Sequence, residues 1–325
     1  MRIFNVTAVL PLAIGFAAVP LAQPYPNRPL TLIAPSSPGG PVDITARTIA
    51  PTLAKILAQP VVVENRPGAS QKIGMQSLLR APRDGYTFSV VSAASMTINP
   101  LIDPAVGYDP LKDFTLFTSA VESYSVMVVH PSVPVKSLRE FITLARANPS
   151  QLSFGDGGRG TRIHFTTRDL LMRLGLQAVH VPYKGDPPAL TDLIAGQIQF
   201  MLPVAGVAKP FIDNGRLRAL AMDGDTRWKA LPHVPAIPEL GISELKGPLY
   251  RGWLGYAAAA GLPQDVSAKL HAAIMAALQT PEVKAGFETW GFQIVGTSPQ
   301  VFAAALRAEI ERNRQVIAAG GFPRE

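Results

Sequence analysis

Short apolar runs alternate with amphipathic runs through most of the chain. The run LTLIA at residues 30–34 lies between two prolines and has the length and apolar character of a buried strand. The run that follows places Ile49, Leu53, Ile56 and Leu57 at i, i+4, i+7 and i+8, which is the spacing of one helix face. Because this strand-then-helix order recurs along the chain, the pattern predicts an α/β protein with largely parallel sheets.

Two such series of strands and helices follow each other along the chain, and a long last segment leads back to the first series. The second series begins with the helix-like run at residues 137–149, and residues 227–250 form a segment that prolines interrupt repeatedly. We predict two lobes joined by two or more crossings: lobe 1 from residues 24–123 plus 251–325, and lobe 2 from residues 124–250. In this layout the strand-to-helix turns line a ligand cleft between the lobes.

Three turns are rich in small residues and hydroxyl groups. The turns at residues 36–40, 66–70 and 157–161 each follow a strand-like run and lead into a helix-like run. The first N–H groups of a helix have no intrahelical partner, and the helix dipole favours a negative charge beside them. One such turn is ordinary architecture, but three turns at one cleft predict a site that holds carboxylates without a catalytic group.

Motifs for catalysis and for metal binding are weak. The sequence GASQK at residues 68–72 approaches the GxSxG nucleophile elbow, with Lys72 in place of the second glycine. A serine hydrolase using Ser70 is therefore an alternative, and it requires a histidine base within hydrogen-bond reach of Ser70. The glycines of GDGGRG at residues 155–160 fit a dinucleotide loop, but no clear acidic residue closes the next strand. The five histidines lack metal-binding spacing, so we predict neither a metal nor a cofactor.

The N-terminus and the charge narrow the class of protein further. Residues 1–23 combine Arg2, a long apolar run and small residues, which predicts a signal peptide. The net charge of +7 is scattered along the chain, so nucleic acid is not an expected partner, although a mild positive field suits anions. The chain has no cysteine, which excludes disulfides and a lipid-anchored cysteine. We expect a periplasmic protein that is exported through its signal peptide and is not lipid-anchored.

Several ordered segments resemble the Bug family, the exported solute receptors of tripartite tricarboxylate transporters. The resemblance is carried by YPNRPLTLIAPSSPGGPVDITAR, QPVVVENRPGA, APRDGYTF and HVPYKG, at residues 25–47, 59–69, 81–88 and 180–185. It implies a two-lobed periplasmic-binding-protein fold, type II-like, that closes on a small carboxylate. It also implies a membrane permease as partner, and we expect the receptor itself to be a monomer.

The resemblance places the ligand at the same three turns. It adds Asp43 to the first turn, and His164 to the glycine-and-threonine turn of the second lobe. The ligand-binding candidates are Ser36, Ser37, Pro38, Gly39, Gly40, Asp43, Arg66, Gly68, Ala69, Ser70, Gly158, Arg159, Gly160, Thr161 and His164. Among the cations we favour Arg159 over Arg66 and Lys72, because Arg159 lies inside the glycine-rich turn.

This chain also departs from the family pattern. The family usually has an aromatic residue and a proline at the positions of Ser36 and Ser37, and a pair of glycines at those of Ser70 and Gln71. These changes add hydrogen-bonding groups, so the specificity of a relative does not transfer. We predict an exported solute-binding receptor that captures a small organic carboxylate for a tripartite tricarboxylate-type transporter. Two alternatives stay open: the serine hydrolase, and a ligand-presenting partner of a sensor that transports nothing.

Overall fold

The structure is a computed structural model that describes residues 25–158, 160–246 and 252–318. The predicted signal peptide lies outside these residues. Two mixed β-sheets flanked by helices make up the described chain, which confirms the predicted α/β class. We call the part with the six-stranded sheet lobe 1 and the part with the five-stranded sheet lobe 2. The residue boundaries predicted above for the lobes stay a prediction.

Lobe 1 draws its sheet from both ends of the described chain. Its strands are β1 (Leu30–Ala34), β2 (Val61–Asn65), β3 (Thr87–Ser92), β4 (Phe114–Ser123), β10 (Gly252–Ala259) and β11 (Phe292–Ile294). They lie in the order β11, β4, β10, β3, β1, β2. Its helices are α1 (Pro41–Leu57), α2 (Lys72–Leu79), α3 (Asn99–Ile102), α8 (Gln264–Gln279), α9 (Pro281–Thr289) and α10 (Pro299–Val316).

Lobe 2 is built from one continuous part of the chain. Its strands are β5 (Val126–Val129), β6 (Ser153–Asp156), β7 (Val179–Pro182), β8 (Phe200–Met201) and β9 (Arg218–Met222), in the order β7, β6, β8, β5, β9. Its helices are α4 (Leu138–Ala147), α5 (Arg162–Arg173), α6 (Asp186–Ile194) and α7 (Ala205–Asp213). Within the described residues of either lobe, no helix has both the length and the apolar character needed to cross a membrane.

Each sheet contains an antiparallel strand, so the prediction of largely parallel sheets is wrong. Strand β10 runs antiparallel to β3 and β4, and β5 runs antiparallel to β8 and β9. The reason is the path of the chain, which passes from β4 to β5 through Tyr124 and Ser125 and returns to lobe 1 at β10. A strand that arrives from the other lobe starts at the cleft, whereas the strand of a βα unit ends there.

Three of the four apolar positions predicted for one face of α1 are buried, whereas Ile56 is 42% exposed, so the prediction is wrong at that position. Ile49 and Leu53 of α1 are fully buried in the core of lobe 1, and each buried side chain of this size contributes roughly 1.5–3 kcal/mol. In lobe 2 the ring of Phe200 meets those of Phe141 and Phe154 at centroid distances of 5.0 and 5.6 Å. Packing in the two cores holds each sheet in place. The strand ends that face the other lobe can therefore form a site.

Candidate ligand-binding cleft

A cavity of about 530 Å³ lies between the two lobes, where the three predicted turns meet. This volume is within the range of small-molecule sites. The candidate residues that line the cavity are Ser36, Ser37, Gly40, Gly68, Ala69, Ser70, Gly158, Gly160, Thr161 and His164. The fold thus brings together residues from three distant segments, and their contact with a ligand stays a prediction.

Pro38, Gly39 and Asp43 lie outside the lining of the cavity. The Asp43 side chain is buried, and its carboxylate accepts hydrogen bonds from the Gly39 N–H and from Asn65 Nδ2, both at 2.8 Å. Charge-assisted hydrogen bonds of this kind are among the stronger ones. The Asp43 carboxylate therefore holds the first turn against β2 and α1. The Asp43 side chain lies behind the wall of the cavity.

Two of the three cations considered from the sequence, Arg66 and Lys72, do not line the cavity. Arg66 forms an ion pair with Glu64 at 2.7 Å and does not line the cavity. Lys72 forms an ion pair with Asp103 at 2.8 Å, and the hydrogen bond from Lys72 lowers the pKa of the Asp103 carboxyl. Arg159, the favoured candidate, lies outside the described residues, and its role stays a prediction.

The most buried of the cations that the sequence analysis missed is Arg162, the first residue of α5. Its side chain lines the cavity but is only 11% exposed. Its Nη2 donates to Ser125 Oγ at 2.8 Å, and its Nη1 lies 3.8 Å from Asp223 Oδ2. Burial lowers the pKa of the guanidinium, and the Asp223 carboxylate opposes this shift. No local pattern in the sequence reveals partners so far along the chain.

The two lobes touch across the cavity, so the structure shows the cleft closed. Ser37 Oγ in lobe 1 donates to the carbonyl of Lys184 in lobe 2 at 2.7 Å. A Cβ atom built on Gly160 would lie 2.5 Å from Asn99 Oδ1, and Gly160 has a φ of +76°. Glycine therefore suits this position for two reasons: it adopts a left-handed backbone readily, and it has no Cβ that would clash with lobe 1.

The second turn has an uncommon backbone. Ala69, Ser70 and Gln71 have φ angles of 44°, 49° and 81°, in the left-handed region that costs non-glycine residues roughly 1–2 kcal/mol each. Ser92 Oγ donates to Gln71 Oε1 at 2.8 Å, and Asn99 Nδ2 donates to the Ser70 carbonyl. Such backbones persist where the surroundings impose them, which is common at ligand sites. Glycine adopts positive φ angles without this cost, which gives a physical reason for the pair of glycines usual in the family at the positions of Ser70 and Gln71.

Two histidines and an aspartate form a column in the lobe 2 wall. Asp156 ends β6 and is fully buried, and its Oδ1 accepts the Gly158 N–H at 2.8 Å. Its Oδ2 lies 2.8 Å from His180 Nε2, and His164 stacks on His180 with ring centroids 4.2 Å apart and planes inclined by 14°. Burial raises the pKa of the Asp156 carboxyl, and His180 opposes this shift. The sequence analysis selected only His164, because the other two residues lie on separate strands.

The possible ligand atoms of the column lie within 4.8 Å of one another. The column nevertheless does not have the geometry of a metal centre. The lone pair of an imidazole nitrogen lies in the plane of its ring, and two nearly parallel rings cannot both direct lone pairs at one ion. His164 Nδ1 also accepts the Gly160 N–H at 3.2 Å. The arrangement instead places the imidazole of His180 against the Asp156 carboxyl, with the ring of His164 stacked on His180.

Other charged groups of both signs belong to the wall of lobe 2. Arg168 and Lys184 line the cavity, and Arg168 lies one helical turn after His164 on α5. Asp186 is the acidic residue of this wall, and burial raises its pKa to about 6, while the charge of Arg162 opposes the shift. Two buried carboxyl groups lie behind this surface, Asp156 beside His180 and Asp223 beside Arg162. The cations therefore act as local donors to an anion, and the wall as a whole has no excess of positive charge.

Trp253 and Leu254 at the start of β10 supply an apolar part of the wall. The indole Nε1 of Trp253 donates to Glu309 Oε2 at 2.7 Å, and its ring meets Phe302 edge-on at 5.2 Å. These contacts hold the indole in one orientation. The sequence analysis did not assign a strand here, so it missed both residues. Together with the cations, this surface suits a small anion that also has an apolar part.

Comparison with known proteins decides the family. A family model described as the tripartite tricarboxylate transporter family receptor matches residues 45–322. The chain belongs to this family. Protein BugT of Bordetella pertussis is 31% identical to this receptor over 312 residues, which cover 96% of this chain and 95% of BugT. The resemblance to the Bug family, a family of periplasmic solute receptors, is thereby confirmed.

Solved structures confirm the periplasmic-binding-protein fold of the receptor. The R. palustris protein Rpa4515 with adipate is similar with a TM-score of 0.86 at 31% identity, over 91% of this chain and 98% of that chain. MatC (Rpa3494) from Rhodopseudomonas palustris with bound malate is similar with a TM-score of 0.84 at 28% identity, over 90% of this chain and 100% of that chain.

These relatives are solute-binding proteins, which argues against the serine hydrolase alternative.

Proposed function

We propose that this receptor captures a small organic carboxylate in the periplasm and presents it to the permease of a tripartite tricarboxylate-type transporter. The observation that carries the proposal is the closed cavity, where three turns at helix N-termini and the buried cation Arg162 face one space. Family membership supports the role of a receptor, and adipate and malate, which two similar structures contain, are both dicarboxylates.

In this proposal one carboxylate of the ligand is held by the first two turns. Backbone N–H groups of these turns provide the donors, with water completing the contacts. Arg162 offsets the remaining charge, because a carboxylate buried without compensation is costly. The ligand stabilises the closed form to the extent that it binds that form more tightly than the open one. The receptor acts as a monomer, exported by its signal peptide without a lipid anchor, and turns nothing over.

Isothermal titration calorimetry of the mature receptor tests this function. The panel contains mono-, di- and tricarboxylates, with glucose as a neutral control. We expect one or more of the acids to bind and to be recovered unchanged after prolonged incubation. Binding of glucose with silence across the acids would overturn the carboxylate assignment, and conversion of a bound acid would show an enzyme instead.

A second prediction concerns the hydrogen bond between the lobes. Ser37→Ala removes the donor to the Lys184 carbonyl, a hydrogen bond that joins the two lobes in this closed structure. Such a bond contributes about 0.5–1.5 kcal/mol, so we expect the Kd of the tightest acid to rise about twofold to tenfold, with faster dissociation. Ser36→Ala is the comparison, because the Ser36 hydroxyl donates only within its own turn, to the Ser37 carbonyl at 3.3 Å. An unchanged Kd for Ser37→Ala would show that this bond does not stabilise closure.

A further inference from the structure

The indole of Trp253 has a buried partner that the mode of binding described above does not use. Trp253 is half-buried and lines the cavity, and its Nε1 donates to Glu309 Oε2 at 2.7 Å. Glu309 belongs to α10 and is only 9% exposed, and it lies behind the wall of the cleft rather than in its lining. A carboxyl group in such a place must either be compensated by donors or give up its charge.

The hydrogen atoms around Glu309 can be counted from its neighbours. Its Oε1 lies 2.9 Å from Thr97 Oγ1, and the same hydroxyl lies 2.9 Å from the Ala93 carbonyl. A hydroxyl has one hydrogen and cannot donate fully to both oxygens, so an ionised Glu309 leaves two acceptors in contact. When Glu309 is protonated at Oε1, it donates to Thr97, Thr97 donates to Ala93, and Trp253 donates to Oε2. Only this form provides a hydrogen for each of the three contacts.

The charges near Glu309 do not remove the need for this proton. Burial is the largest influence and raises the pKa of the Glu309 carboxyl, while the hydrogen bonds from Trp253 and Thr97 and the charge of Arg312 oppose the shift. Glu122 of β4 lies opposite Trp253 in the sheet and has the same sign of charge as an ionised Glu309. It therefore offers no compensation.

The other elements around Glu309 add no charge beside it. Thr97 belongs to a π-helical turn, Ala94–Ile98, which packs against α10 together with α3, and neither of these two elements contains a titratable side chain. The remaining charged residues of α10 are exposed to water, where their charges are screened: Arg307, Glu311, Arg312 and Arg314.

We propose that Glu309 is a protonated carboxyl group that holds the indole of Trp253 in the wall of the cleft and is thereby a positioning residue for ligand binding. The inference rests on the proposed function, since the bound acid is taken to contact this indole. The neutral carboxyl has two effects. It orients the indole through a hydrogen bond, and it keeps a negative charge away from a cavity that receives an anion.

Urea unfolding of the unaltered receptor and of Glu309→Gln tests the protonated state without any ligand. Glutamine has the shape of a protonated glutamate, with an amide N–H for Thr97 and an oxygen for Trp253. An unfolded glutamate releases its proton near pH 4.3, whereas the folded state keeps it to higher pH, so the folded state binds more protons in this range. Relative to Glu309→Gln, the folding equilibrium of the unaltered receptor should therefore weaken by up to about tenfold per pH unit as the pH rises above about 5.

The exposed Glu311 on the same helix provides the control. Glu311→Gln also removes one carboxyl from α10, and its stability relative to the unaltered receptor should hardly change with pH over the same range. A stability difference between Glu309→Gln and the unaltered receptor that is constant from about pH 5 to 8 overturns the protonated state.

Nuclear magnetic resonance of the indole N–H groups gives a direct readout on the unaltered receptor. The chain has three tryptophans, and Trp253→Phe identifies the signal of Trp253 by its loss. We expect this signal to keep its position between about pH 6 and 8, because the acceptor keeps its proton. A titration of the signal within this range shows that Glu309 ionises there and overturns the proposal, even if no Glu309 variant folds.

Calorimetry with the tightest acid tests the positioning role. Glu309→Leu removes the acceptor of the indole N–H, so the Kd should rise about twofold to tenfold, and exchange of this N–H with water should become faster. Glu309→Gln restores the acceptor and should bind within about twofold of the unaltered receptor. Glu311→Leu is the matched control and should leave both the Kd and the indole signal unchanged.

The outcomes separate this inference from the proposed function. An unchanged Kd for Glu309→Leu overturns the positioning role and leaves the receptor function standing. If Glu309→Leu does not fold, Trp253→Phe takes its place, and an unchanged Kd there shows that the indole does not serve binding. Silence of every acid with the unaltered receptor overturns the receptor function and the positioning role with it, whereas the protonation of Glu309 is decided by the unfolding comparison alone.

Discussion

Arg162→Met should lower the free energy of unfolding by about 3 kcal/mol and abolish most of the carboxylate binding. The substitution removes the hydrogen bond to Ser125 and the positive charge beside Asp223, in a place where neither group is exposed to water. The methionine keeps much of the volume but no donor. Urea unfolding measures the loss of stability, and calorimetry with the tightest acid measures the loss of affinity.

A double variant separates the two roles of Arg162. In Arg162→Met with Asp223→Asn, the carboxylate that lies 3.8 Å from Arg162 is removed together with the cation, and Asp186 remains. The Ser125 N–H, which donates to Asp223 Oδ1 at 2.6 Å, keeps an acceptor in the side-chain oxygen of the introduced asparagine. Much of the stability should return, and the affinity should not. If the single variant binds as tightly as the parent, Arg162 serves the crossing between the lobes and takes no part in holding the ligand.

Gly160→Ala should raise the Kd of the tightest acid about tenfold to a hundredfold. In the closed form the new Cβ would lie 2.5 Å from Asn99 Oδ1 and 2.8 Å from Ile102 Cδ1 in the opposite lobe. Asn99 is buried and donates to the Ser70 carbonyl, so it cannot turn away freely. We therefore expect the variant to fold but to close poorly, which small-angle scattering with saturating ligand would show as a larger radius of gyration than that of the parent.

Gly175→Ala is the matched control for this experiment. Gly175 also has a left-handed φ, of +63°, but nothing lies within 4 Å of a Cβ built there. Both substitutions impose a similar strain on the backbone, of about 1 kcal/mol, and only the one at Gly160 meets the other lobe. Equal affinities for the two variants would show that the approach of Gly160 to Asn99 is not needed for binding.

The local chemistry of the chain was sufficient to find the three turns of the cleft. Each turn is short, follows a run of strand character and precedes a helix, so its residues are neighbours in sequence as well as in space. The stripe of Ile49, Leu53 and Leu57 on α1 was predictable for the same reason, because a helix face repeats within a few residues. The family resemblance then identified the cleft between two lobes, which the turns by themselves only suggested.

The tertiary structure alone decided which charged groups share the cavity. Strand β10 enters lobe 1 from the other lobe and runs antiparallel to β3. The residues of β10 by themselves do not indicate this direction. Arg162 meets Ser125 and Asp223 only because the crossings between the lobes lie side by side, and His164 meets His180 only because α5 packs over the end of β7. Periodicity and turn chemistry act over a few residues, whereas these contacts depend on how whole lobes fold and close. The sequence by itself therefore determined the elements and the turns that can hold an anion, and the closed fold determined which buried charges and imidazoles face it.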